Sequence, residues 1–203
     1  KTGASVNLPP ATTCTNISPE CARYCYSLVG PISMKSSVRT HVENELLLRA
    51  LEALPQAAVD SEADYVAAEL KERGLNFLRI NGVGELVPGT VRLITALAKR
   101  HPWLSLWVAT RKPELAAQLP TTNNCHIMFG VDRSTRPEHL AEMRALVRRG
   151  RGQVYLSYVQ VDEQDVPPKD AAVVFIEHRG SNRGKWSPPK AACGATVHEQ
   201  QLG

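Results

Sequence analysis

Two hydrophobic periods alternate along this chain, and that alternation restricts the fold more than any other feature. Short runs rich in β-branched and aromatic residues occur at 76–81, 104–110, 125–132, 153–160 and 171–178. Runs of this length and composition read as strands. Between them lie longer stretches with helical spacing. Residues 43–54 place Leu47, Ala50, Leu51 and Leu54 on one helical face, and 61–73 open on a Ser61-x-x-Asp64 start signal and stop at Gly74. Residues 88–100 keep Val91, Ile94 and Ala98 in register, and 137–149 keep Leu140, Met143 and Val147, with Gly150 behind them. Residues 111–119 form a shorter candidate helix. With an earlier strand at 5–8, the pattern predicts six strands joined by helices, hence βαβ units and a parallel sheet. An open, partial (β/α) barrel and a doubly wound open sheet both satisfy that pattern. Both place the functional site at the C-terminal ends of the strands. Residues 1–178 are expected to form the domain. The stretch 179–189 (RGSNRGKWSPP) changes character, so 179–203 reads as an irregular C-terminal tail.

Composition excludes several classes. The 203 residues are 43% apolar and 22% charged, the balance of an ordinary globular chain rather than a fibrous or disordered one. No apolar run approaches the ~18 residues of a membrane span. With no signal-peptide core visible either, the expectation is a cytoplasmic protein without membrane contact. The net charge of +4 is too mild to argue for nucleic acid. The densest basic stretch, Arg144, Arg148, Arg149 and Arg151, reads as the solvated C-terminal end of a helix.

Chemistry concentrates in the cysteines. There are five, and Cys14, Cys21 and Cys25 fall within twelve residues just after the first strand. An odd count argues against a closed disulfide framework. In an intracellular chain such a cluster points to metal or redox chemistry instead. Thiolates suit zinc, copper(I) or iron–sulfur clusters. Three thiolates from one loop can hold a cubane cluster with one iron open. A zinc site completed by a fourth residue and three unligated thiols are the alternatives. Structural zinc favours paired C-x2-4-C knuckles, and no second knuckle is present. Cys125 begins its strand and should be a small buried hydrophobe at the opposite end of the sheet. Cys193 stands alone in the tail.

The segment TCTNISPECARYCYS (Thr13–Ser27) has cysteine spacing C-x6-C-x3-C followed by Tyr26. It resembles the phage gene product 88-like family, a variant of the radical S-adenosylmethionine (SAM) enzymes. The common radical SAM loop is C-x3-C-x2-C with an aromatic residue before the third cysteine, a position that Tyr24 fills here. The resemblance extends to Leu78–Glu85, whose Gly84-Glu85 stands where the superfamily's Gly-Gly-Glu-like motif contacts the amino group of SAM. Val83 replaces the first glycine. Trp107–Arg111 and Phe129–Ser134 are similar to the third- and fourth-strand segments. The resemblance implies that Arg111 contacts the carboxylate of SAM and that Asp132 and Ser134 contact its ribose. Read without the resemblance, Gly84-Glu85 is a strand-to-helix turn, and Asp132 or Ser134 is a cap for the helix that starts near Pro137. Gln160 and His178, which end the fifth and sixth strands, are further residues that can face the site.

The resemblance thus implies an iron–sulfur enzyme with a partial (β/α)6 TIM-like barrel. Cys14, Cys21 and Cys25 would hold a [4Fe-4S] cluster, and SAM would chelate the fourth iron. Reductive cleavage of SAM would yield a 5′-deoxyadenosyl radical acting on an unidentified substrate. A flavodoxin- or ferredoxin-like electron donor is the expected partner, and so short a chain has little room for a lid, so the substrate is expected to be a macromolecule. The alternatives are a non-catalytic, zinc- or cluster-containing protein that binds a partner, and an iron–sulfur protein whose open iron takes a ligand other than SAM.

Overall fold

The computed structural model describes residues 4–23, 25, 27, 30–150, 153–162 and 164–176. Tyr24, His178, Cys193, the boundary at 178 and the tail lie outside them. Among the described residues, six strands form one sheet: β1 (Ala4–Val6), β2 (Phe77–Ile80), β3 (Ser105–Thr110), β4 (Cys125–Val131), β5 (Val154–Gln160) and β6 (Val173–Ile176). All neighbours are parallel and the order is β1-β2-β3-β4-β5-β6. The sheet is open, with β1 and β6 at its edges. A doubly wound sheet reverses its order part-way so that helices cover both faces. Here the order never reverses, which sets the doubly wound alternative aside. Successive right-handed crossovers in one direction place their helices on one face only.

The helices are α1 (Pro10–Thr13), α2 (Pro19–Arg23), α3 (Lys35–Ala53), α4 (Gln56–Glu72), α5 (Pro88–Arg100), α6 (Pro113–Ala116) and α7 (Pro137–Arg149). A 3-10 turn at Gly30–Ser33 precedes α3. One sheet face carries Leu78, Ile80, Leu106, Val108, Ile127, Phe129, Val131, Leu156 and Tyr158 into a single core, with Leu93, Ile94 and Leu97 of α5 and Met143 of α7. The two long helices of the first crossover, α3 and α4, both pack on α5. Gly89 makes the α3–α5 contact close, because a Cβ there would sit 1.7 Å from the Leu48 carbonyl oxygen. Arg92 of α5 donates to the carbonyls of Leu51, Glu52 and Leu54, capping the C-terminal end of α3.

The opposite face is different. Phe77, Arg79, Trp107, Ala109, His126, Met128, Tyr155 and Val159 alternate with the core residues and remain partly or fully accessible. Phe77, Trp107 and His126 stack in sequence across β2, β3 and β4, with ring centroids 6.2 and 5.7 Å apart.

Several expectations need correction. The helix expected at 43–54 begins eight residues earlier, and its inward face is His41, Glu45, Leu48 and Leu51, while Leu47, Ala50 and Leu54 are exposed. Glu45 is held inside by the Thr12 hydroxyl at 2.6 Å and by Arg49 at 2.8 Å. Ser61 does not start α4. It lies inside the helix, and its hydroxyl donates to Ala57 O at 3.0 Å. Gly74 does end α4: it adopts φ +68, with Gly74 N–H bonded to Lys71 O and Leu75 N–H to Leu70 O, the paired bonds of a Schellman stop. Neither Asp132 nor Ser134 caps α7, whose N-cap is Arg136 with no side-chain bond. Cys125 is fully buried at the start of β4, as its position predicts.

Candidate functional site

The C-terminal ends of β2 to β5 and the loop after β1 enclose one cavity of about 380 Å³. Cys14, Cys21 and Cys25 line it, as do Gly84, Glu85, Arg111 and Asp132. Ser134 lies beside it, behind Asp132. The strand ends reach the cavity for a simple reason: each βα turn leaves the residue after the strand free of the ladder and pointed away from the helices.

The cysteine segment is held from two sides. On the β2 side, α1 carries Thr13, whose hydroxyl donates to Pro9 O at 2.8 Å and accepts Glu85 N–H at 3.0 Å. On the β4 side, Ser18 precedes α2 and accepts Cys21 N–H at 3.2 Å, so it caps the helix that bears Cys21. The same hydroxyl donates to Asp132 Oδ2 at 2.5 Å. Glu20 N–H donates to Ser134 Oγ at 3.0 Å, and Arg133 donates to Glu20 Oε1. Cys25 Sγ lies 2.8 Å from the Ser27 hydroxyl.

Asp132 is the hub. Its Oδ2 also accepts Arg111 Nη1 at 3.1 Å, and its Oδ1 accepts both the N–H and the hydroxyl of Ser134, at 2.9 and 2.7 Å. Burial alone would raise this carboxyl. Ser18, Arg111 and Ser134 outweigh it and hold the group below its ordinary value. Glu85 is also buried. Its oxygens accept the Thr110 hydroxyl at 2.7 Å and Arg111 N–H at 2.8 Å. Burial nevertheless pushes the Glu85 carboxyl above its ordinary value, against the pull of Thr110, Arg111 and Lys112. Gly84 sits at φ +79, and a Cβ there would lie 2.3 Å from the Leu8 carbonyl oxygen. The close approach of the β1 and β2 ends therefore requires glycine at this position.

The thiols share one electrostatic environment. Burial pushes Cys14 up to about 12, with Glu85, Cys21 and Cys25 adding to the rise. Burial raises Cys21 too, and Arg111 opposes it. Three soft donors line one cavity, with a guanidinium beside Cys21, so the donors match an anionic iron–sulfur cluster in chemical type, though not in their arrangement here. Among the described residues, no group of three or more His, Cys, Asp or Glu side chains could hold a metal ion.

Residues 1–198 match the family model described as Gene product 88. The chain belongs to the gene product 88 family. No curated protein matches it. Among the described residues, no helix of this gene product 88 protein is long and apolar enough to cross a membrane.

The structure thus brings together Cys14, Cys21, Cys25, Gly84, Glu85, Arg111, Asp132 and Ser134, eight residues drawn from four chain segments. Gln160 is not among the cavity residues; its amide donates to Asp165 O at 2.9 Å. Sequence reasoning missed Thr13, Ser18, Glu20 and Ser27, which position the cysteines. A signal for Ser18 was present, because Ser18-Pro19 before Glu20 is a helix start. It also missed Asn81, which lines the cavity at the end of β2.

Proposed function

We propose that this gene product 88 protein is a radical SAM-type enzyme. Cys14, Cys21 and Cys25 hold a [4Fe-4S] cluster, and the sheet serves as part of a (β/α)6 barrel. When bound, such a cluster with an open iron supplies the electron that cleaves SAM to methionine and a 5′-deoxyadenosyl radical. The observation that carries the reading is the convergence of the three thiols with Glu85, Arg111 and Asp132 on one cavity at the strand ends. Its size falls within the usual range of small-molecule sites, ~300–1,000 Å³.

The chain's own groups have distinct tasks. Arg111 spends Nη1 on Asp132 and Ser18. Its Nε and Nη2 make no hydrogen bond among the described residues, and this remaining edge of the fork suits the SAM carboxylate. Glu85 uses two of its roughly four acceptor sites on Thr110 and Arg111, so lone pairs remain for an ammonium group. Asp132 is saturated by its own neighbours. It therefore acts as a positioning residue for Arg111 and Ser18, and ribose contact falls to the cavity wall around it. Ser27 sits against Cys25 and tunes that sulfur. The apolar wall formed by Ile17, Val83, Met128 and Val161 excludes water from the reacting groups.

The test is anaerobic purification, iron and sulfide counts, and low-temperature EPR of the reduced protein with and without SAM. Four irons and a spectrum that SAM changes support the enzyme. Zinc, or no metal, overturns it in favour of a protein that only binds a partner. A cluster indifferent to SAM moves the open iron to another ligand.

A further inference from the structure

Asn81 occupies the first position after β2 and lines the cavity, yet neither the proposed cluster nor SAM uses it. It is 3% exposed, and both its amide nitrogen and its amide oxygen lack a hydrogen-bond partner. It also adopts φ +57, the only left-handed non-glycine residue among those described. Each orphaned polar group costs ~1–3 kcal/mol, and a non-glycine residue in this conformation adds strain. A fold that tolerates both costs at one residue in a cavity wall is keeping a donor and an acceptor available for a ligand.

A cation lines the same cavity. Arg79, two residues before Asn81, is exposed on β2 and folds over the following turn, where a Cβ on Gly82 would meet Arg79 Nε at 3.0 Å. Arg79 makes no ion pair or hydrogen bond among the described residues, whereas Arg111 is neutralised by Asp132. One uncommitted guanidinium suits a single negative charge. A di- or triphosphate would face the Glu85 and Asp132 carboxylates in the same cavity. A neutral amide with both edges open pairs best with another amide, donor to acceptor and acceptor to donor.

We propose that Asn81 and Arg79 form the substrate subsite of this cavity, and that it takes an acylamino-carboxylate group: an amide read by Asn81 and a neighbouring carboxylate read by Arg79. The assignment rests on the enzymatic reading only in calling the ligand a substrate; the subsite itself stands on the orphaned amide and the free cation.

The experiment measures binding of N-acetylglycine to the full chain by titration calorimetry, with N-acetylglycinamide and acetate as single-feature controls. N-acetylglycine is expected to bind saturably in the millimolar range and about tenfold more tightly than either control. Asn81→Gly and Arg79→Gln are each expected to weaken it about tenfold. Asn81→Gly keeps the backbone conformation, so its ligand-free melting temperature should match or exceed that of the wild type; a lowered melting temperature with unchanged affinity would mean that the amide is structural and would overturn the assignment. No saturable binding by the wild type overturns it as well, as does equal affinity for N-acetylglycine and acetate. Iron content and the response to SAM, measured on the same preparation, separate the two readings. Asn81-dependent binding without iron sinks the enzyme but keeps the subsite, and a SAM-responsive cluster without binding sinks the subsite alone.

Discussion

Replacing Asp132 with Asn tests whether one carboxylate holds the cysteine segment to the sheet. The substitution keeps the size and removes the charge. One edge of Asp132 faces the Ser18 hydroxyl and the Arg111 guanidinium, and the other faces the N–H and hydroxyl of Ser134. An amide has one donor edge and one acceptor edge. Turned one way, its NH2 meets Arg111, which can only donate. Turned the other way, it meets the backbone N–H of Ser134, which also only donates. No orientation satisfies the site. The Asp132 side chain is 1% exposed and that of Arg111 12%, so solvent relieves only part of the guanidinium left behind. Removing one partner of a buried pair costs ~3–5 kcal/mol. Two lost charge-assisted bonds at ~1.5–3 kcal/mol each bracket the same figure. Equilibrium urea unfolding should show a loss of about 3–5 kcal/mol with an unchanged slope. Adding Arg111→Gln to the variant should cost less than the two single losses summed, by about 1–3 kcal/mol. A loss below ~1 kcal/mol, or strict additivity, would refute the reasoning, because a solvated or redundant pair behaves that way.

Three further outcomes are expected. Gly84→Ala should destabilise by about 2–5 kcal/mol, from the left-handed backbone and the collision with Leu8; a neutral result would show that the β1 and β2 ends separate freely. Arg144 holds the Asp170 carboxyl below its ordinary value of 3.8 by hydrogen bonding, with burial opposing. A depressed carboxyl stabilises above the ordinary value and loses that contribution as pH falls through the depressed one. The Arg144→Gln penalty in thermal melts, ~0.2–1 kcal/mol at neutral pH for so exposed a pair, should therefore shrink in 1 M salt and fade as pH falls below the ordinary value and through the depressed one. Cys125, with its thiol pushed up to about 12 by burial, should resist iodoacetamide in the folded protein and react only on unfolding. Peptide mapping after alkylation reads this directly, and labelling at native-state rates equal to those of an exposed thiol would contradict the burial.

Strand positions were legible because each strand's outer residues must meet helices. Leu106, Val108, Ile127, Phe129 and Leu156 impose a period of two that no solvent-facing segment needs. The helices α5 and α7 were legible to the residue because Pro opens each of them. The first half of α3 was not. Its inward positions carry His41 and Glu45, so the apolar signal falls on residues that face solvent. Glu45 is buried only because Thr12 and Arg49 satisfy it, a contact from elsewhere in the chain that no local window reveals. At the site, the cysteines and the strand-end residues were legible from type and order. Their supports were not, since Thr13 pairs with Glu85 and Ser18 with Asp132 across 72 and 114 residues of sequence. Asn81 was silent for another reason: an orphaned amide is defined by missing partners, and sequence records only what is present.

The gap of six residues between Cys14 and Cys21 follows from where its two ends are fastened. Cys14 adjoins Thr13, which is bound at the β2 end, and Cys21 rides on α2, which is bound at the β4 end. Between them lies Arg111, just after β3, which donates to the Ser18 hydroxyl, and the two fastenings on β2 and β4 lie two strand spacings apart, ~9–10 Å. A three-residue gap reaches at most ~13–14 Å when fully extended, so covering that distance would use most of its length and leave no room for both the turn at Thr15–Asn16 and the Ser18 cap. The longer gap supplies both. The sheet, through its width from β2 to β4, thus fixes the separation of the first two thiols, and the loop only has to be long enough to span it. Whatever the thiols hold is then sensitive to the Asp132–Ser18 fastening, because releasing that end frees Cys21 while leaving Cys14 in place.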